Sequence, residues 1–144
     1  MKQSNEQLIE YPAAVHLTVN GQTNCVSGTL SRQGEELIVR FGEMQGFAPT
    51  KTQFTVWPDR VEMRKTGEFF TCISFTQGEK TAVELQTAMG AIPVTVFTTR
   101  LAVKTGQDSV FLRLSYTLSD GVENQIFSVT LRARMQAPSA TELC

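Results

Sequence analysis

Apolar and polar residues alternate along nearly the whole chain at a period of two, and no segment repeats convincingly at 3.6. In "AVHLTV", Val15, Leu17 and Val19 share one face, and His16 and Thr18 take the other. "ELIVRF" sets Leu37, Val39 and Phe41 against Ile38 and Arg40. "TQFTVW" contributes Phe54 and Val56, "RVEMRK" contributes Val61 and Met63, and "TAVELQT" contributes Val83 and Leu85. In "FFTCISF" the matching positions are Phe69, Ile73 and Phe75. The last third alternates most regularly, with Val110, Leu112, Leu114, Tyr116 and Leu118 in one run and Phe127, Val129, Leu131 and Ala133 in the next. Successive side chains of a strand point to opposite faces, so each run predicts a half-buried strand.

The connectors carry turn chemistry: Asn20-Gly21, Gln33-Gly34, Pro58-Asp59, Thr66-Gly67, Gln77-Gly78, Met89-Gly90, Thr105-Gly106 and Asp120-Gly121. Glycine-containing pairs between alternating runs are hairpin signals, and short turns argue for an antiparallel meander rather than βαβ units. About eight to ten strands in one small domain need either two stacked sheets or closure, and an up-and-down order favours a closed barrel without edges. The predicted fold is therefore all-β, a single antiparallel up-and-down β-barrel over residues 13–135. An N-terminal arm at 1–12 and a flexible C-terminal tail at 136–144 flank it. "NEQLIE" in the arm is too short and too poorly patterned to predict a helix. In "QTAMGAIPVTVFTTRL", Gly90 is expected at a turn with positive φ, and Pro93 falls on the outward parity. A proline there marks an edge, a bulge or the first part of a strand.

Composition narrows the function classes. Lys and Arg number 13 against 14 Asp and Glu, so the chain lacks the basic footprint that nucleic-acid binders use on phosphates. No apolar run approaches the roughly 20 residues that span a bilayer, and "MKQSNEQLIEYP" lacks a signal-peptide core. A cytoplasmic protein is expected. Cys25, Cys72 and Cys144 are odd in number and widely spaced, so no disulfide framework is expected. Cys72 reads as a small buried hydrophobe rather than a reactive thiol.

Candidate chemistry is sparse. His16 is the single histidine, so a multi-histidine metal site is excluded, and its parity puts it on a polar face. Asp59, Asp108 and Asp120 sit in turns and read as turn formers, and Glu35-Glu36 opens a strand. No G-x-S-x-G, G-x-G-x-x-G or Walker pattern occurs, so no cofactor and no catalytic constellation is expected. Four polar residues fall on inward parity: Lys65, Thr98, Arg100 and Tyr116. They either line a small-ligand pocket or fill the barrel, with Lys65 and Arg100 snorkelling to the rim. Ile38, Trp57, Phe70, Phe97 and Phe111 are apolar and outward. Trp57, Phe97 and Phe111 are the candidates for an interface, including a homodimer, and an arm lying across the wall would cover them equally well.

Taken in order, "GTLSRQGEELIVRFGE", "VEMRKTGE", "QTAMGAIPVTVFTTRL" and "LRLSYTLSDGVENQIFSVTLR" resemble the YwiB-like family of bacterial domains of unknown function. The resemblance spans about residues 13 to 134 and implies a small lipocalin-like (calycin-like) barrel. It differs from the family pattern at Ala88 and Met89, where a proline and an aromatic are usual, and at Phe41, where tyrosine is common. It implies no catalytic residues. The expectation is a non-enzymatic barrel that binds a small, partly apolar molecule. The alternative is a protein-interaction or oligomerisation module that uses the outer wall.

Overall fold

Each alternating run is a strand. The computed structural model describes residues 9–45 and 48–136. The residues preceding 9 and following 136, which include the first four residues of "NEQLIE", most of the predicted tail and Cys144, lie outside the described residues. The strands are β1 (Tyr11–Val19), β2 (Gln22–Gln33), β3 (Glu36–Gln45), β4 (Ala48–Val56) and β5 (Val61–Thr66). They continue as β6 (Thr71–Phe75), β7 (Lys80–Thr87), β8 (Gly90–Thr105), β9 (Ser109–Ser119) and β10 (Asn124–Met135). All pair antiparallel in one sheet of order β6-β5-β4-β3-β2-β1-β10-β9-β8-β7. The result is an all-β, nearly closed, up-and-down barrel.

Alternation decides which face is inside. Val15, Leu30, Val39, Val56, Val61, Phe75, Val96, Leu112 and Leu131 carry 0% exposure and form the core with Leu37, Phe54, Ile73 and Leu114. Aromatic rings fill much of the interior. Tyr116 lies 4.7 Å from Phe75 and 5.0 Å from Phe127, centroid to centroid, and Phe41 stacks on Phe54 at 6.2 Å. Phe69 departs from the expected face: it precedes β6 in the turn and is exposed. Gly28 of β2 lies tight against β3, where an added Cβ would meet the Arg40 carbonyl oxygen at 2.3 Å.

The turns behave as the dipeptides predict. Asn20 (φ 50°) and Gly21 (φ 86°) make the left-handed hairpin turn between β1 and β2. Asn20 also anchors that turn to β10: its N–H donates to the Ser128 carbonyl, and its Oδ1 accepts from the Ser128 N–H, each at 2.8 Å. Gly90 has φ 106°, and the preceding turn is tied by Thr87 Oγ1, which accepts from the Met89 N–H at 3.1 Å. Pro93 sits in the first part of β8, which pairs with β7 alone because the β9 ladder begins at Thr95. Its missing donor is tolerated at such a place.

Since every strand reverses its predecessor, the turns after β1, β3, β5, β7 and β9 gather at one end, the upper rim. The turns after β2, β4, β6 and β8 gather at the lower rim, beside the start of β1 and the end of β10.

Two irregularities shape the barrel. The first is a bulge in β8: Thr98 pairs with Tyr116 and Arg100 with Ser115, so Thr99 is an extra residue. The second is the seam. A two-residue turn links β6 to β7, closed by the Glu79 N–H donating to the Thr76 carbonyl at 3.0 Å. A ladder continued from that turn would set Phe75 opposite Lys80. Phe75 points inward beside Val61 and is fully buried, whereas Lys80 points outward beside Phe97 and is exposed. The two strands are out of phase by one residue, which puts their inner faces on opposite sides of any shared ladder. No ladder joins them. The linker bonds to β8 instead: the Gly78 N–H donates to the Thr98 carbonyl at 2.8 Å, and the Thr98 N–H donates to the Glu79 carbonyl at 3.1 Å.

One cysteine expectation is corrected: Cys25 is disulfide-bonded. It lies exposed on the outward face of β2, opposite His16, and distance along the sequence does not limit which thiols meet in space. Cys72 is free and half-buried, also outward, opposite Arg64. Burial, followed by the neighbouring Glu62 carboxylate, pushes its thiol pKa up, which disfavours the thiolate.

Candidate functional site on the inner wall

Lys65 is the inward cation that parity predicted. It lies on the face of Val61 and Met63, half-buried near the upper rim, opposite Thr52 of β4 and Thr71 of β6. Phe41 extends this inner row on β3, and Phe54, Met63 and Ile73 form the apolar row below it. Thr52 is 2% exposed, and its Oγ1 has no hydrogen-bond partner. A buried hydroxyl left unsatisfied costs about 1–3 kcal/mol.

Thr98 and Tyr116 are register partners on β8 and β9, across the seam from β6. Thr98 is 1% exposed, and its Oγ1 also lacks a partner. Burial raises the Tyr116 phenol to about 12, so the ring stays neutral between Phe75 and Phe127. Arg100 is not part of this wall. The extra residue at Thr99 shifts the phase, so Arg100 pairs with outward Ser115 and is exposed, correcting the inward parity expected of it.

Sequence reasoning missed Thr52 and Thr71. The signal for Thr52 was available, since extending the inward parity of Val56 and Phe54 by one step reaches it. Thr71 is found the same way from Phe75 and Ile73.

The outer wall does not gather its candidates. Trp57 lies in the turn after β4 with the Arg60 guanidinium 3.9 Å from its ring centroid. Phe111 pairs with Lys104 and Arg132, and the Arg132 guanidinium stacks 5.4 Å from its ring. Phe97 pairs with Thr117, six residues from Phe111 along β9. At the rise of an extended strand that separation is about 20 Å. Ile38 points outward yet is 5% exposed, in a row with buried Ser31 and Thr55. His16 points outward and is half-buried between Cys25 and Arg132.

A groove of about 490 Å³ runs over the outer face of β2 to β5, lined by Thr29, Arg40, Lys51, Gln53 and Arg64. Its arginines are already engaged. Arg40 pairs with Glu10 and donates from Nε to Gln53 Oε1 at 2.9 Å, and Arg64 lies 3.5 Å from Glu62. Among the described residues no cluster of His, Cys, Asp and Glu could hold a metal ion, and no helix is long and apolar enough to cross a membrane.

These features define a ten-stranded, nearly closed barrel domain with a mixed polar and apolar inner wall. The chain belongs to the family described as a domain of unknown function (DUF1934), whose model matches residues 18–132. Its fold is similar to that of the YwiB protein from Bacillus subtilis, with a TM-score of 0.76 at 14% sequence identity, covering 90% of this chain and 96% of that one. Comparison with curated proteins finds no match.

Proposed function

We propose that the domain is a non-enzymatic, lipocalin-like barrel that takes a small, partly apolar molecule by its polar head at the Lys65–Thr52–Thr71 row. The observation that carries this reading is the orphaned Thr52 hydroxyl directly opposite an inward-facing lysine. An ammonium and two hydroxyls on one row suit a carboxylate or similar acceptor-rich head, because such a head satisfies the lysine and gives Thr52 a partner together. Phe41, Phe54, Met63 and Ile73 supply apolar surface for the rest of the molecule. The outer groove supports an anion less well, since two of its three cations already face carboxylates.

Dodecanoate and dodecan-1-ol, compared by isothermal titration calorimetry, test the reading. A charge-assisted bond is worth about 1.5–3 kcal/mol, so Lys65→Met should weaken dodecanoate by about 10- to 100-fold and leave dodecanol nearly unchanged. Absence of binding by both probes, or unchanged dodecanoate affinity in Lys65→Met, would sink it.

A further inference from the structure

We infer that the unzipped seam between β6 and β7 is the entrance to the barrel interior, through which an amphiphile passes to the Lys65 row. The inference rests on the binding site proposed above, but the opening itself follows from the phase mismatch.

The two strands share a turn at the lower rim and have no ladder above it, so they part as the legs of a wedge that widens upward. Residues of β7 that share the inner face of Val94 and Val96 confirm the opening. Thr81, Val83, Leu85 and Thr87 are half-exposed, although their partners Val94 and Val96 across the ladder are buried. Ile92, inward beside Leu85, is 39% exposed. On the rest of the inner wall Val15, Leu112 and Leu131 are fully buried, and Ile73 and Phe75 on β6 are buried too, so the seam is exposed on its β7 side. Leu101 and Val103, on the stretch of β8 that runs past β7, are half-exposed as well.

The wide end of the wedge is apolar on both sides. Phe69 and Phe70 precede β6, and Met89 caps the turn after β7 with 92% exposure. Such side chains cost free energy in water and stabilise an apolar chain that slides past them. The lip therefore suits the tail of the molecule. Arg64 reaches over the Phe70 ring from the outer face, and the inward cation on the β6 side is Lys65, whose register partner Thr71 is the first residue of β6. A closed seam could not do this, because a continuous ladder fills the wall with paired backbone. The phase mismatch keeps the wall open without any lid.

Two measurements on the intact chain test the entrance. The first needs no ligand. Ile73→Cys and Leu131→Cys, each in a Cys72→Ser background, place inward thiols at positions that are 3% and 0% exposed, one beside the seam and one on the far wall. N-ethylmaleimide should label the seam thiol at least about tenfold faster, because access there needs no opening of a ladder. Equal rates overturn the entrance. If either variant fails to fold, Val83→Cys against Val129→Cys repeats the comparison.

The second measurement is stopped-flow exchange of dodecanoate in Leu85→Trp. An obstructed entrance slows entry and exit together by about tenfold with the dissociation constant nearly unchanged. Rates that stay at the parent values overturn the entrance as the ligand's path. Polarised labelling with no dodecanoate binding leaves the entrance standing and removes the proposed ligand class instead.

Discussion

The Thr52 hydroxyl separates stability from function at a single atom. Buried without a partner, it costs free energy in the empty barrel, and valine has nearly the same shape without that cost. Thr52→Val should therefore stabilise the empty protein or leave it unchanged, with a gain of up to about 1 kcal/mol in urea unfolding. The same variant should bind dodecanoate more weakly, since one partner of the head is gone. A loss of stability beyond about 1 kcal/mol would mean that Thr52 already has a partner inside the folded chain. Tyr116 gives a second test at this scale. Its folded pKa of about 12 lies above the ordinary value of 10, so its contribution is complete below pH 10 and is lost as pH rises toward 12. Over that window the unfolded chain ionises first, and the folded state loses roughly 3 kcal/mol relative to it. Other groups titrate there too, so the measured quantity is the difference from Tyr116→Phe. The stability curve of that variant should fall less steeply from pH 10 to 12, and parallel curves would refute the assignment.

At the scale of the strand, β8 shows both what alternation can predict and where it fails. The parity of Val94, Val96 and Thr98 was legible because a strand repeats every two residues. Arg100 was misplaced because a bulge inserts one residue without disturbing composition on either side of it. The seam was hidden for a related reason. "TQGE" reads as an ordinary hairpin turn, and only the faces of both flanking strands, known together, reveal that they are out of phase. Strand identities and core residues are local properties of the pattern, whereas phase between strands is not. The bulge yields a prediction that parity alone would not make. Removing Thr99 leaves Thr98 inward, Arg100 outward and Leu101 inward, with a regular ladder against β9. Removing Ala102 instead turns one side of the inner face outward, including either Leu101 or Val103. The Thr99 deletion should keep a cooperative thermal transition and the Ala102 deletion should lose it, as followed by circular dichroism. Similar damage from both would show that the bulge itself is needed for curvature.

The whole barrel has one side that differs from the rest. β2 and β1 lie in the middle of the ten-strand order, farthest from the seam, and β1 and its neighbour β10 are each bonded on both sides along most of their length. β6 and β7 are the sheet's two ends, each with a ladder on one side only. Opening an edge strand breaks one ladder and exposes half-buried side chains such as Val83 and Leu85. Opening β1 or β10 breaks two ladders and exposes Val15, Leu131 and Ala133. Hydrogen exchange should therefore be graded around the barrel. The slowest amides should lie in β1, β9 and β10 and exchange through global unfolding. The amides of β6 and β7 should exchange through smaller openings, at least about tenfold faster. The gradient should follow strand order rather than sequence, so that β6 resembles β7 across the seam although different neighbours hold them. If an amphiphile enters and lodges against the inner wall, protection in β6 and β7 should rise more than in β1 and β10, because the far wall is already closed. Uniform protection in the empty protein would mean that the seam is bridged in solution, and the barrel would then have to admit its ligand through a rim.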